Sequence, residues 1–144
     1  MKKLIYLFIL TLGLISCSSD DETKIDNSDI IGKWNWTNTD GGIGNHIHET
    51  PTSTNKTIIL ILEKDYTYSI IKNGIEISTG TYELSMKESI YSQDLEKFIS
   101  YSDEEIEHLP SVLGGRIIRV YETNKLDVSN NFEDGVGSGY EKIE

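Results

Sequence analysis

From Ile30 onward, apolar and polar positions alternate along most of the chain, and short clusters of Gly, Asn, Asp and Thr interrupt the alternation. A period of two marks strands with one buried face, and such clusters mark the turns between them. Eight strands are predicted: Ile30–Thr37, Thr57–Leu62, Tyr66–Ile71, Ile75–Leu84, Leu95–Tyr101, Arg116–Glu122, Lys125–Ser129 and Ser138–Ile143. Thr57–Leu62 is apolar on both faces, which suits a central strand or one whose outer face is covered. Lys72–Asn73–Gly74 is a hairpin signal, because Asn-Gly readily supplies the two positive φ angles of a type I′ turn. Gly80 inside the fourth strand predicts a bulge or bend. Ser102–Asp103–Glu104–Glu105 fits a capping box, so a short helical segment is expected there, ended by Pro110. Residues 38–55 form a long Gly- and Thr-rich excursion, and loops of that length are usually functional or disordered.

Most of the predicted connections are hairpin-short and force antiparallel neighbours. Eight strands are enough to close a barrel whose interior is filled by side chains or holds one small ligand. The expectation is therefore an all-β protein: an antiparallel, eight-stranded, up-and-down barrel with one short helical segment. The barrel domain is assigned to residues 30–144.

The amino terminus follows a different pattern. Lys2 and Lys3 precede an apolar run, Leu4 to Leu14, of signal-peptide length and too short to span a bilayer comfortably. Leu14–Ile15–Ser16–Cys17 then resembles a bacterial lipobox. The resemblance implies removal of residues 1–16 and acylation of Cys17, with palmitate-type chains anchoring the protein to a membrane. Cys17 is the one cysteine, so no intramolecular disulfide is available. A single acyl chain anchors only marginally, whereas two or three hold firmly. Ser18 after the cysteine does not match the usual signal for inner-membrane retention, and Ser18–Ser19–Asp20–Asp21–Glu22 resembles the acidic tract of some surface lipoproteins. An outer-membrane location is expected, facing the periplasm or the cell surface. Residues 17–29 are expected to be a disordered acidic tether, since they offer too little apolar surface to fold.

Trp34 and Trp36 are the two tryptophans and fall on one face of the first strand, as does Gly32. Gly32–Lys33–Trp34 resembles the Gly-x-Trp opening of lipocalins. With Gly41–Gly42–Ile43, Thr50–Pro51–Thr52, Lys64–Asp65–Tyr66–Thr67–Tyr68 and Ser78–Thr79–Gly80–Thr81–Tyr82, the chain looks like the lipocalin-like lipoproteins of Gram-negative bacteria. The likeness covers about residues 30 to 84. It implies a barrel whose closed end is plugged by Trp34, with a late-strand cation stacked on the indole. Arg119 is the candidate for that stacking, although the family carries its cation on the last strand, where this chain has Lys142. The family implies no catalytic residues.

Charge narrows the functions further. The formal net charge is −11, and losing Lys2 and Lys3 with the signal makes it −13. So acidic a body disfavours nucleic acid, which needs dense Lys and Arg at the phosphates, and disfavours docking on anionic lipid through a basic face. His46, His48 and Glu49 have metal-ligand chemistry but lie in a Gly/Thr-rich loop, so a solvated loop is expected and no metal or other cofactor. No Gly-x-Ser-x-Gly or placed Ser/His/Asp set is present, and Gly135–Val136–Gly137–Ser138–Gly139 lacks the helix that a phosphate cradle needs. No enzyme is expected. Trp34, Trp36, Tyr66, Tyr68, Tyr82, Arg119 and Tyr121 are the candidate core- or ligand-lining residues, since Tyr and Trp suit either role. The expected function is a non-catalytic binding module for a small apolar or amphipathic molecule. The alternative is an envelope module that binds a protein or glycan through the barrel rim.

Overall fold

A computed structural model describes residues 24–103 and 116–143. The fold is all-β. Among the described residues nine strands follow in order: β1 (Gly32–Gly41), β2 (Ile47–Glu49), β3 (Ile58–Leu62), β4 (Thr67–Lys72), β5 (Ile75–Glu88), β6 (Leu95–Tyr101), β7 (Arg116–Tyr121), β8 (Lys125–Asn130) and β9 (Val136–Lys142). Every pairing is antiparallel, and β9 returns to β1, so β1 and β3 to β9 close into an eight-stranded up-and-down barrel. Closure removes most of the open sheet edge; the narrowest seam is β6–β7, where only Phe98–Ile117 and Ile99–Arg116 pair.

Each predicted strand has its counterpart here, and the largest differences in extent are in β1 and β5. β1 continues four residues past Thr37 because Asn38–Gly41 pair with β9 through a bulge between Trp36 and Asn38. At Gly41 a Cβ would sit 2.3 Å from the Gly135 carbonyl oxygen, and φ there is +129°, so glycine lets β9 approach. Asn73 and Gly74 have φ of 51° and 80°, as a type I′ turn needs. Gly80 is not the bulge. The register shift lies between Ile70 and Ile71, opposite Ser78 and Glu76. Gly80 instead faces Tyr68 across the ladder, and a Cβ there would lie 3.1 Å from the Tyr68 ring.

The excursion at 38–55 has structure of its own. β2 pairs with Thr39–Gly41, taking over the edge of β1 beyond the point where β3 leaves it. A 3-10 turn, Ile43–Asn45, leads into β2, and a one-turn helix, Pro51–Thr54, follows it. Thr50 caps that helix by accepting from the Ser53 amide, Ser53 reciprocates to the Thr50 amide, Pro51 sits in the first turn, and Asn55 closes the end at left-handed φ. The helical segment expected after Ser102 falls outside the described residues.

Inside the barrel the side chains interdigitate. Trp34, Trp36, Leu60, Leu62, Tyr68, Ile70, Ile99, Leu126, Val128 and Tyr140 are all buried in one cluster with Ile30. Ile30 closes one end of it. Residues 25–30 lie against the barrel there: Asn27 is buried and donates to the Tyr82 hydroxyl at 2.7 Å and to the Glu63 carbonyl, and the Tyr66 hydroxyl donates to the Ile25 carbonyl at 2.9 Å. The part of the expected tether from Ile25 onward therefore belongs to the folded body.

The outside of the wall has one covered patch. Phe98 and Ile117 face outward as a cross-strand pair, yet both are buried. Arg116 stands level with Ile99 and with Asn130. Asn131, one residue further on, donates to the Glu88 carbonyl and accepts from the Ile90 amide, both at 2.9 Å, at the far tip of the β5–β6 hairpin. These bonds pin the hairpin tip to the loop after β8, and Tyr91 adds a bond to the Phe132 carbonyl at 2.7 Å.

Candidate functional site

The two tryptophans anchor the interior. The Trp34 indole N–H donates to the Ile30 carbonyl at 2.8 Å, and the Trp36 N–H donates to the Thr39 hydroxyl at 2.9 Å. Thr39 in turn meets Ser138 at 2.8 Å. Each buried indole has its polar atom satisfied, as an apolar interior demands. Lys142 on the last strand holds its ammonium 5.1 Å from the Trp34 ring centroid. This is the cation that stacks on Trp34. Arg119 stands on the outer face and binds Glu96 through both Nε and Nη2. The two roles are set by facing: Arg116, Ile118 and Val120 point inward on β7, so Arg119 and Tyr121 point out. Tyr121 is exposed.

The other candidate tyrosines converge. Tyr68 and Tyr82 are buried, and Tyr66 packs against the same cluster. Tyr66 and Tyr82 rings lie 5.5 Å apart, and Tyr68 meets Tyr101 edge-on at 4.8 Å. Tyr68 also shares a hydrogen bond with Ser78 at 3.1 Å, and Ser78 donates to Asp103 at 2.9 Å.

The residue that sequence reasoning did not single out is Arg116. Its side chain enters the barrel and is only 5% exposed. Among the described residues, Nε and Nη1 have no hydrogen-bond partner, and neither does the buried hydroxyl of Tyr101 nearby. Among the described residues, the groups that act on the guanidinium charge are the phenols of Tyr140 and Tyr101, with no carboxylate among them. Burial lowers the Arg116 pKa and raises those of Tyr101 and Tyr140. Arginine nevertheless stays protonated, so a positive charge sits in the apolar interior. Leaving a buried charge uncompensated costs on the order of 3–5 kcal/mol.

A recess of about 740 Å³ opens elsewhere, beside Lys24, Ile25, Tyr66, Tyr82, Leu84 and Met86. It lies between the amino-terminal segment and β5. In the 38–55 excursion, His48 Nδ1 meets Asp40 at 2.8 Å and His46 Nδ1 meets the Ile43 carbonyl at 2.7 Å. Among the described residues no three His, Cys, Asp or Glu side chains converge in a metal-ligand cluster, and no helix is long and apolar enough to cross a membrane. Cys17 lies outside the described residues. Compared with protein-family models, curated proteins and solved structures, the chain matches none.

Proposed function

We propose that the protein is a lipid-anchored, lipocalin-like binding module, non-enzymatic, that takes a small amphipathic molecule into the Arg116 end of its barrel. A closed β-barrel is compatible with a binding role. The observation that carries the reading is the set of orphaned polar atoms inside the wall: Arg116 Nε and Nη1 and Tyr101 Oη. Native interiors pair nearly all such atoms, and an unpaired one costs about 1–3 kcal/mol, more when charged. A guest that met them would recover that energy. The apolar half of the guest would lie along the side chains that line the same end. The acyl anchor at Cys17 holds the module at the outer membrane.

Native mass spectrometry of the protein as its cells process it tests the reading, with organic extraction of any added mass. A discrete amphipathic guest is expected, and the added mass should disappear on extraction. A clean mass together with no binding of amphiphiles in titration overturns it. The anchor has a separate test. Cys17→Ser should move the protein out of the membrane fraction, and retention there refutes the lipobox assignment.

One observation favours the second reading, an envelope module that binds a protein or glycan through its rim. Ile90, Tyr91, Leu95 and Phe132 are large, apolar and exposed where the β5–β6 hairpin meets the loop after β8. Exposed apolar groups gathered in one place mark interaction surfaces. On that reading, polar substitutions at Tyr91 and Phe132 abolish capture of the partner, while amphiphile binding is unchanged.

A further inference from the structure

We infer that the guest carries an anionic head, a carboxylate or phosphate, and that Arg116 and Tyr101 hold it. The inference rests on the binding reading above and gives it a chemical class. Three facts support it. Arg116 is more than nine-tenths buried, and its Nε and Nη1 are unpartnered among the described residues. Those atoms form part of a planar fork whose geometry matches the two oxygens of a carboxylate or a phosphate edge. The phenol of Tyr101, on the neighbouring strand, is a second donor with no partner among the described residues.

Among the described residues, no carboxylate forms a salt bridge with Arg116. Asp103, the acidic residue that follows on from β6, is engaged by Ser78 at 2.9 Å. Asp127 points to the outer face with Arg119, its cross-strand neighbour. Among the described residues, the groups set against the guanidinium are the phenols of Tyr101 and Tyr140. A neutral guest would leave the charge uncompensated, and a cation would add to it, so the interior selects for an anion. The net negative charge of the body adds a filter. Free inorganic anions are repelled at long range, whereas an amphiphile has apolar burial to draw it in.

The test is isothermal titration of the protein as the cell processes it, held in nanodiscs, with empty nanodiscs as the blank. The probes are octanoate, octyl phosphate and octanol, which share a chain and differ in head. The expected result is binding of octanoate or octyl phosphate about a hundredfold tighter than octanol, the weight of charge-assisted bonds to a guanidinium. Whichever of the two is tighter names the head. Arg116→Met should abolish the preference while raising the melting temperature of the empty protein, because it removes an uncompensated charge at similar volume. Tyr101→Phe removes one hydroxyl and should weaken the anion by roughly tenfold, leaving octanol unchanged. It carries the test if Arg116→Met does not fold. Equal binding of octanol and octanoate, unmoved by either variant, overturns the anion site and leaves the amphiphile-binding reading standing. Absence of binding by all three probes overturns both.

Discussion

The side-chain amide of Asn27 donates to the phenol oxygen of Tyr82 at 2.7 Å, across 55 residues of chain. The same nitrogen lies within reach of the Glu63 and Lys64 carbonyls, at 3.2 and 3.3 Å. One buried amide thus ties the approach to β1 to the β3–β4 turn and to β5. Asn27→Ala leaves those acceptors without their donor in a dry site. It should cost about 1–3 kcal/mol, read as a fall in the denaturation midpoint. Asn27→Asp should be worse, because it replaces a donor with a buried acceptor facing two carbonyls. If Asn27→Ala unfolds like the parent, the segment before residue 30 contributes nothing to the fold.

Trp34 occupies the centre of the packed interior, with Ile30 as its hydrogen-bond partner and Lys142 over its ring. Trp34→Ala should destabilise by roughly 3–5 kcal/mol through the cavity it leaves. Lys142→Met keeps the aliphatic stem and removes the cation, so a loss of about 0.5–2 kcal/mol is expected. Arg119→Met should leave Trp34 fluorescence unchanged, whereas Lys142→Met should shift it. The opposite pattern would reassign the stacking cation.

Much of the barrel is legible in the sequence because alternation is a direct consequence of one wet face and one dry face. Tyr66 to Ile71 and Lys125 to Ser129 show it cleanly. The facing of β7 is not legible. Arg116–Ile117–Ile118–Arg119 presents the same pattern whichever arginine points inward, and both isoleucines are buried because the β5–β6 hairpin side of the wall is covered. An outer face that is dry erases the signal that tells inside from outside. The expectation placed Arg119 at Trp34, and the fold places Arg116 inside instead. The 38–55 excursion carries a local signal of its own. Thr50 followed by Pro51 and Ser53 reads as a helix cap with proline in the first turn, and Ile47–Glu49 is too short a strand for periodicity to register.

Asn131 latches the tip of the β5–β6 hairpin through two hydrogen bonds to backbone. Asn131→Ala removes both and should free the tip from the outer wall. Amide exchange in residues 88–95 should speed up while exchange in β1, β3 and β4 stays slow, because only the outer layer opens. Global stability should fall by about 1 kcal/mol, the value of ordinary hydrogen bonds at an exposed site. A uniform acceleration across the barrel would show the hairpin to be part of the cooperative core rather than a layer laid over it.

Glu96 joins the same outer layer to the wall, accepting from Arg119 and, at 2.6 Å, from Ser92. The Arg119 hydrogen bond, then that of Ser92, hold its carboxyl below the usual value of 4.5. The sign follows from linkage. A carboxylate whose pKa is lower in the folded than in the unfolded chain stabilises the fold in full above the unfolded value, and that contribution is lost as pH falls through the folded one. Arg119 is partly solvent-exposed, so screening keeps the contribution to about 1 kcal/mol. Glu96→Gln should therefore melt below the parent at pH 7, and the gap should close as the pH is taken from 4.5 downward. High salt should shrink it as well. A gap that persists unchanged at pH 3 would mean that Glu96 acts through packing or neutral hydrogen bonds, and that the Arg119 ion pair does not hold the hairpin to β7.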